Sequence, residues 1–290
     1  MHPTQIPAAI KEYASNIPQP VALIGCRTSK LSLDCCEYDI AVFGLPKNNA
    51  VLQVAGHTFV ELLHLTGPLH HHIVDLIEMI VLKDTNGFTL SSAARDLGRE
   101  KYLKALSAIG KKSLISSLLF QQRMINEANN QIVAAMWLKM AAYEFIAGSL
   151  ALSGTRPMPL HELEQIRQVE AGSEMAEGIH IALECIGTER ATRPAIARSL
   201  EAVHEIKSKD YDRELVMSKI RHLLDKRMLA DCYYYAGKTA AKSLAGKETS
   251  FHDRYSKLVQ IALDLTSDTQ HLDKLQKGLF RAANGSLKSF

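Results

Sequence analysis

Aromatic residues are scarce, at 6% of 290 residues. Ala and Leu are plentiful, so the chain leans towards helix. Charge of one sign is also lacking. A formal balance of +3 excludes a chain that, taken whole, binds polyanions strongly. The five cysteines (Cys26, Cys35, Cys36, Cys185 and Cys232) are odd in number and irregular in spacing. Cys35 and Cys36 are adjacent, which does not match a zinc motif. Reduced thiols in a cytoplasmic protein are the expectation. The N-terminal stretch holds Pro3 and Pro7 and shows no cationic-then-apolar signal pattern. Internal repeats and low-complexity segments are missing too. The most apolar stretch, residues 132–152, carries Lys139 and Glu144 in mid-segment. Both are costly in lipid, so a fully buried helix and no membrane partner are expected.

The chain changes character near Asp84. Before it, apolar runs are short and strand-like: 21–24 closed by Gly25, 38–43 closed by Gly44, 50–54 and 58–65 separated by Gly56, and 79–82. A Gly between two such runs reads as a hairpin turn. Residues 7–14 suit a helix with Pro at its first turn. After Gly87 the pattern is helical. A helix capped by Ser91 or Ser92 runs through Arg95, and others fit 101–125, 132–152 with Gly154 as its stop, 160–169, 175–185, 194–207, 213–245 with a break, and 252–265. The fold expected is α+β: a small mixed sheet over residues 1–86, then an all-helical bundle over 87–290. The head has five Lys+Arg against eight Asp+Glu, the body 29 against 23. An acidic head beside a mildly basic body suits a metal site next to a polyanion-binding face, although ordinary solvated surface gives the same counts.

The informative segment is ALIGCRTSKLSLDCCEYDIAVFG, residues 22–44. One strand ends at Gly25, and the next opens at Glu37, Tyr38 and Asp39. Residues two apart on a strand share a face, so Glu37 and Asp39 project together. Side-by-side carboxylates repel, and a divalent cation is the usual remedy. Glu61 lies inside another apolar strand, where an ionised group is costly unless paired or metal-bound. Asp75 is its rival as third carboxylate. Three such groups on neighbouring strands could hold two Mg²⁺ or Mn²⁺ ions against a triphosphate. The loop after Gly25 would offer backbone N–H groups to the phosphates, with Arg27 and Lys30 close by.

This segment resembles the polymerase-beta-like nucleotidyltransferase superfamily, especially its minimal bacterial- and archaeal-type members. Their signature is an apolar strand, Gly-Gly or Gly-Ser, a loop, and two acids one residue apart on the next strand. Gly25 stands at the Gly position and Cys26 at the Ser position. Glu37 and Asp39, twelve and fourteen positions after Gly25, stand at the acids. The resemblance implies metal ligation and catalysis by Glu37, Asp39 and Glu61. It implies nucleotide binding by Gly25, Cys26, Arg27 and Lys30, an NTP substrate such as ATP, and transfer of a nucleoside monophosphate to a small molecule, protein or RNA. A homodimer is compatible with it. The stretch 137–157 resembles the helical (HEPN-like and related substrate-binding) domains fused behind such heads.

Two features depart from the pattern. Cys26 replaces Ser, and a thiol is a poorer hydrogen-bond partner for phosphate. The loop also lacks a second Gly and carries Leu31 and Leu33. A second hypothesis follows, a catalytically weak or inactive nucleotide-binding regulator, like an antitoxin. A third is a helical RNA binder, with Tyr233, Tyr234, Tyr235, Lys238 and Lys242 stacking on bases. His70, His71 and His72 cannot all face one ion from a regular element and read as a polar loop. His64 reads as structural. Tyr143 and Glu144 read as packing and a paired acid.

Overall fold

The computed structural model describes residues 6–44, 46–55, 58–84, 90–92, 97–127, 129–206 and 212–289. Leu45, Gly56, His57, the break at 85–87 and Arg95 lie outside them. The fold is α+β, a five-stranded mixed sheet followed by helices. It divides into two compact units, Met1–Ala105 with Asp212–Lys219, and Leu106–Tyr211 with Ile220–Phe290.

In the first unit, helix α1 (Ala8–Ser15) follows Pro7 and leads to β1 (Val21–Ile24). Then come β2 (Tyr38–Phe43), β3 (Ala50–Ala55), β4 (Thr58–Leu65), the short α2 (Ile73–Leu76) and β5 (Ile80–Lys83). The sheet order is β3-β4-β2-β1-β5. Strand β1 is antiparallel to β2 and β5, β3 and β4 form an antiparallel pair, and β2 runs parallel to β4. That parallel pairing sets Asp39 opposite Glu61. Strand alternation explains the core. Val21, Leu23, Tyr38, Ile40, Val42 and Val60 turn to one face and pack with Ile10 and Ala14 of α1. Burying Ile10 completely contributes about 1.5–3 kcal/mol. The Lys83 ammonium donates to the Ser15 carbonyl at 3.0 Å, which satisfies an orphan acceptor at the end of α1. Asp39 and Glu61 occupy the opposite face of the sheet, away from α1.

In the second unit the organising element is α4 (Gln131–Leu152), which continues from a helix α3 (Arg99–Asn126) shared between the units. Its side chains are buried nearly all round, so it lacks an amphipathic stripe. By length and composition it could cross a bilayer, yet 83% of its apolar window is buried inside the protein. The Asn130 side chain caps its start by accepting from the Val133 N–H. Gly154, at φ +79°, lets the Thr155 N–H reach back to the Leu150 carbonyl and ends the helix. Around α4 pack α5 (Glu162–Arg167), α6 (Ser173–Ile186), α9 (Leu229–Ala245), α11 (Ser256–Leu263) and α12 (Thr269–Ser289). Helix α7 (Arg193–Ile206) packs on α9 and α11.

The break expected within 213–245 falls between α8 (Arg213–Asp225) and α9, where Arg227 takes φ +59°. The single helix expected over 252–265 is two, α10 (Thr249–Arg254) and α11, hinged at Tyr255. Helix α12 has no counterpart in the expectations. It buries Leu272, Leu275, Leu279, Ala282 and Ala283 along one stripe.

Candidate functional site

Gly25 ends β1 with φ +77°, a conformation that favours glycine. A Cβ built there would lie 1.8 Å from Oδ2 of Asp39. The position therefore needs glycine twice over, for its backbone and for the Asp39 carboxylate seated against it. A 3₁₀ turn, Gly25–Thr28, follows. It is closed by the Thr28 hydroxyl donating to the Gly25 carbonyl and the Ser29 hydroxyl to the Cys26 carbonyl, both at 2.8 Å.

Arg27 is buried beneath this loop. Its guanidinium donates to the carbonyls of Asp34 (3.0 Å) and Cys36 (3.0 Å from Nε) and to the Ser32 hydroxyl (3.3 Å), and it lies over the Tyr38 ring. These contacts hold residues 28–36 in shape and engage the groups that a phosphate contact would need. Lys30 is exposed on the same loop. Cys26 is half-buried. Its thiol pKa is pushed well up, first by a hydrogen bond with the Cys36 thiol, then by burial, then by the negative charge of Cys36, Asp39 and Glu37. Cys26 therefore stays protonated, which removes the condition for thiolate chemistry. Cys35 is raised in the same way, chiefly by Cys36.

The three acids meet. Glu37 lies immediately before β2, Asp39 within it, and Glu61 is its in-register partner on β4. One oxygen from each lies within 4.8 Å of the others. Hard carboxylate oxygens converging at this spacing suit a divalent cation such as Mg²⁺ or Mn²⁺. Asp75 sits on α2, outside this group. The Glu61 carboxyl is raised above 4.5, first by burial, then by the charge of Glu37. Lys219 opposes the shift and Asp212 adds to it.

A fourth member, Lys219, had no signal in the sequence. It lies on α8, in the stretch Asp212–Lys219 that belongs to the first unit. Its ammonium is 2.7 Å from Oε1 and 2.6 Å from Oε2 of Glu37. Both side chains are largely buried, at 8% and 13% exposure. At the start of α8 the Asp212 side chain accepts from the Leu215 N–H at 2.8 Å, an N-cap that fixes the helix from which Lys219 projects.

The other candidates lie outside this group of acids. His70–His72 form a 3₁₀ turn rather than a loop, with the His72 ring against the Thr66 carbonyl. They join no convergent group among the described residues. Tyr233, Tyr234 and Tyr235 are all buried. The Tyr233 hydroxyl donates to Asp264 and that of Tyr234 to Glu162, which also binds Lys238. Their rings offer no open face to a nucleic-acid base. Tyr143 is buried with its hydroxyl against Gly237, where a Cβ would lie 2.3 Å away.

No family model and no curated protein matches the chain. A solved structure described as a nucleotidyltransferase-like protein from Exiguobacterium sibiricum 255-15 aligns over 87% of this chain and 86% of its own. The identity is 13% and the TM-score 0.31. A likeness of that size carries no argument about fold or chemistry.

Proposed function

We propose that the chain is a metal-dependent nucleotidyltransferase that moves a nucleoside monophosphate from an NTP, such as ATP, to an acceptor hydroxyl or phosphate. The observation that carries this is the convergence of the Glu37, Asp39 and Glu61 oxygens, with the Asp39 carboxylate seated against the Gly25 turn. A bound divalent ion would neutralise charge developing on the transferred phosphoryl group and its leaving pyrophosphate. The residues supply the rest. Asp39 and Glu61 fix the cation on a rigid sheet, and the turn after Gly25 offers backbone N–H groups to phosphate oxygens. An acceptor oxygen attacks the α-phosphorus, the bond to the β-phosphate oxygen breaks, and pyrophosphate leaves. The acceptor's proton passes to one of these three carboxylates, acting as general base.

The test is incubation with each α-³²P-labelled NTP, Mg²⁺ or Mn²⁺ and a cell extract as the source of acceptor, beside Asp39→Asn. Label transferred by the wild type and lost in the variant supports transfer. NTP binding without label in any fraction instead selects a nucleotide-binding regulator. That second reading draws on Cys26, whose thiol is hydrogen-bonded to Cys36 rather than offered to phosphate.

A further inference from the structure

We propose that the second unit holds a site for an apolar α-amino acid, bound as its zwitterion between Glu144 of α4 and Lys242 of α9. The place is a cavity of about 180 Å³, lined by residues of three helices that all lie within this unit. Its wall is apolar, with Phe120 of α3, Met140 of α4 and Ala241 of α9. An apolar cavity of about 150 Å³ admits a benzene ring, so this one has room for a leucine or phenylalanine side chain. The site is independent of the acids of the first unit.

The polar groups around this wall decide the class of ligand. Lys238 is already committed, since its ammonium binds the buried Glu162 carboxylate. Lys242, one turn further along α9, has neither a hydrogen bond nor an ion pair among the described residues. Its pKa is lowered, first by partial burial and then by the Lys238 ammonium, so it is a cation short of counter-charge. The sequence reads Glu144 as a paired acid, yet this half-buried side chain too has no hydrogen bond or ion pair among the described residues. The two charges are close enough to influence each other without pairing. Tyr143 also lines the cavity. It is 2% exposed, and its hydroxyl has no hydrogen-bond partner among the described residues, an expensive state for a buried donor. A ligand carboxylate supplies the anion that Lys242 lacks and the acceptor that the Tyr143 hydroxyl lacks. A ligand ammonium answers Glu144, and an apolar side chain covers the wall. A simple anion would be set beside the Glu144 charge, and a simple cation beside two lysines.

Isothermal titration calorimetry of the full chain with L-phenylalanine tests the site. One molecule per chain is expected, with a dissociation constant of about 1 mM or below. Hydrocinnamate lacks the ammonium and phenethylamine lacks the carboxylate, and each should bind about tenfold more weakly or worse. Lys242→Met should weaken L-phenylalanine by about tenfold without weakening phenethylamine. Glu144→Gln should weaken it by about tenfold without weakening hydrocinnamate. Tyr143→Phe should weaken it by about threefold. Lys242 and Glu144 pair with nothing in the fold, so their variants should keep the wild-type midpoint in urea. No binding of L-phenylalanine or L-leucine at about 10 mM would overturn the assignment. So would either analogue binding as tightly as L-phenylalanine, or an unchanged affinity in Lys242→Met or Glu144→Gln.

Discussion

Replacing Gly25 with Ala should harm the fold and the site through one contact. The backbone at φ +77° costs an L-residue about 1–2 kcal/mol. The added methyl would lie 1.8 Å from Oδ2 of Asp39, roughly half an ordinary contact distance of about 3.5 Å. The carboxylate must therefore swing off its rotamer, at about 0.5–1.5 kcal/mol. Together these come to about 1.5–3.5 kcal/mol, to be read as a lower midpoint in urea at unchanged slope. Displacing Asp39 by an ångström or more should also weaken Mn²⁺ binding by about tenfold or more. The cause is isolated by repeating Gly25→Ala in an Asp39→Ala background, where the collision is gone and only the backbone cost of about 1–2 kcal/mol should remain. An equal cost in both backgrounds would refute the claim that Gly25 is required by Asp39. A cost below about 0.5 kcal/mol in the wild type would refute the whole account of the turn.

Other perturbations follow from the same geometry. Lys238→Met strands Glu162, which is 1% exposed, and should cost about 3–5 kcal/mol in urea unfolding. Adding Glu162→Gln should restore most of it. Lys139 is fully buried and its pKa is lowered to about 7, first by that burial. Between pH 7 and 10.5 the unfolded chain binds the proton that the native state has released, so stability should rise with pH by up to about 1.4 kcal/mol per unit. Lys139→Met should flatten this slope. The Glu61 pKa is raised by burial and then by Glu37. Without metal, the native state holds a proton that the unfolded chain has lost, so stability falls as pH rises from 4.5 through the raised value. Glu61→Gln should abolish that fall in thermal melts, and saturating Mn²⁺ should reverse it by favouring the ionised form.

The strands were legible because uninterrupted apolar runs end at residues that cannot continue them. Tyr38–Phe43 and Thr58–Leu65 have the same limits in the sequence and in the fold. The shared face of Glu37 and Asp39 follows from strand geometry alone. Their meeting with Glu61 does not, because β3 intervenes in the sequence while β4 pairs parallel to β2. Register between such strands is set by the sheet, not by neighbouring residues. Arg27 looked like a phosphate ligand by proximity, but a buried guanidinium must satisfy its donors, and the nearby loop carbonyls do so. Lys219 carried no mark distinguishing it from other helical lysines. Helix α12 did carry one. Leu272, Leu275 and Leu279 recur at steps of three and four, yet the polar residues between them keep the stretch from standing out as apolar.

The pairing of Lys219 with Glu37 also imposes an order on synthesis. The two residues are 182 positions apart. At about 5–20 residues per second, roughly 10–40 seconds separate their appearance on a ribosome. Throughout that interval a newly made sheet would hold its acids without their lysine. A divalent ion from the surrounding solution could then be the first counter-charge they meet, before the chain delivers its own.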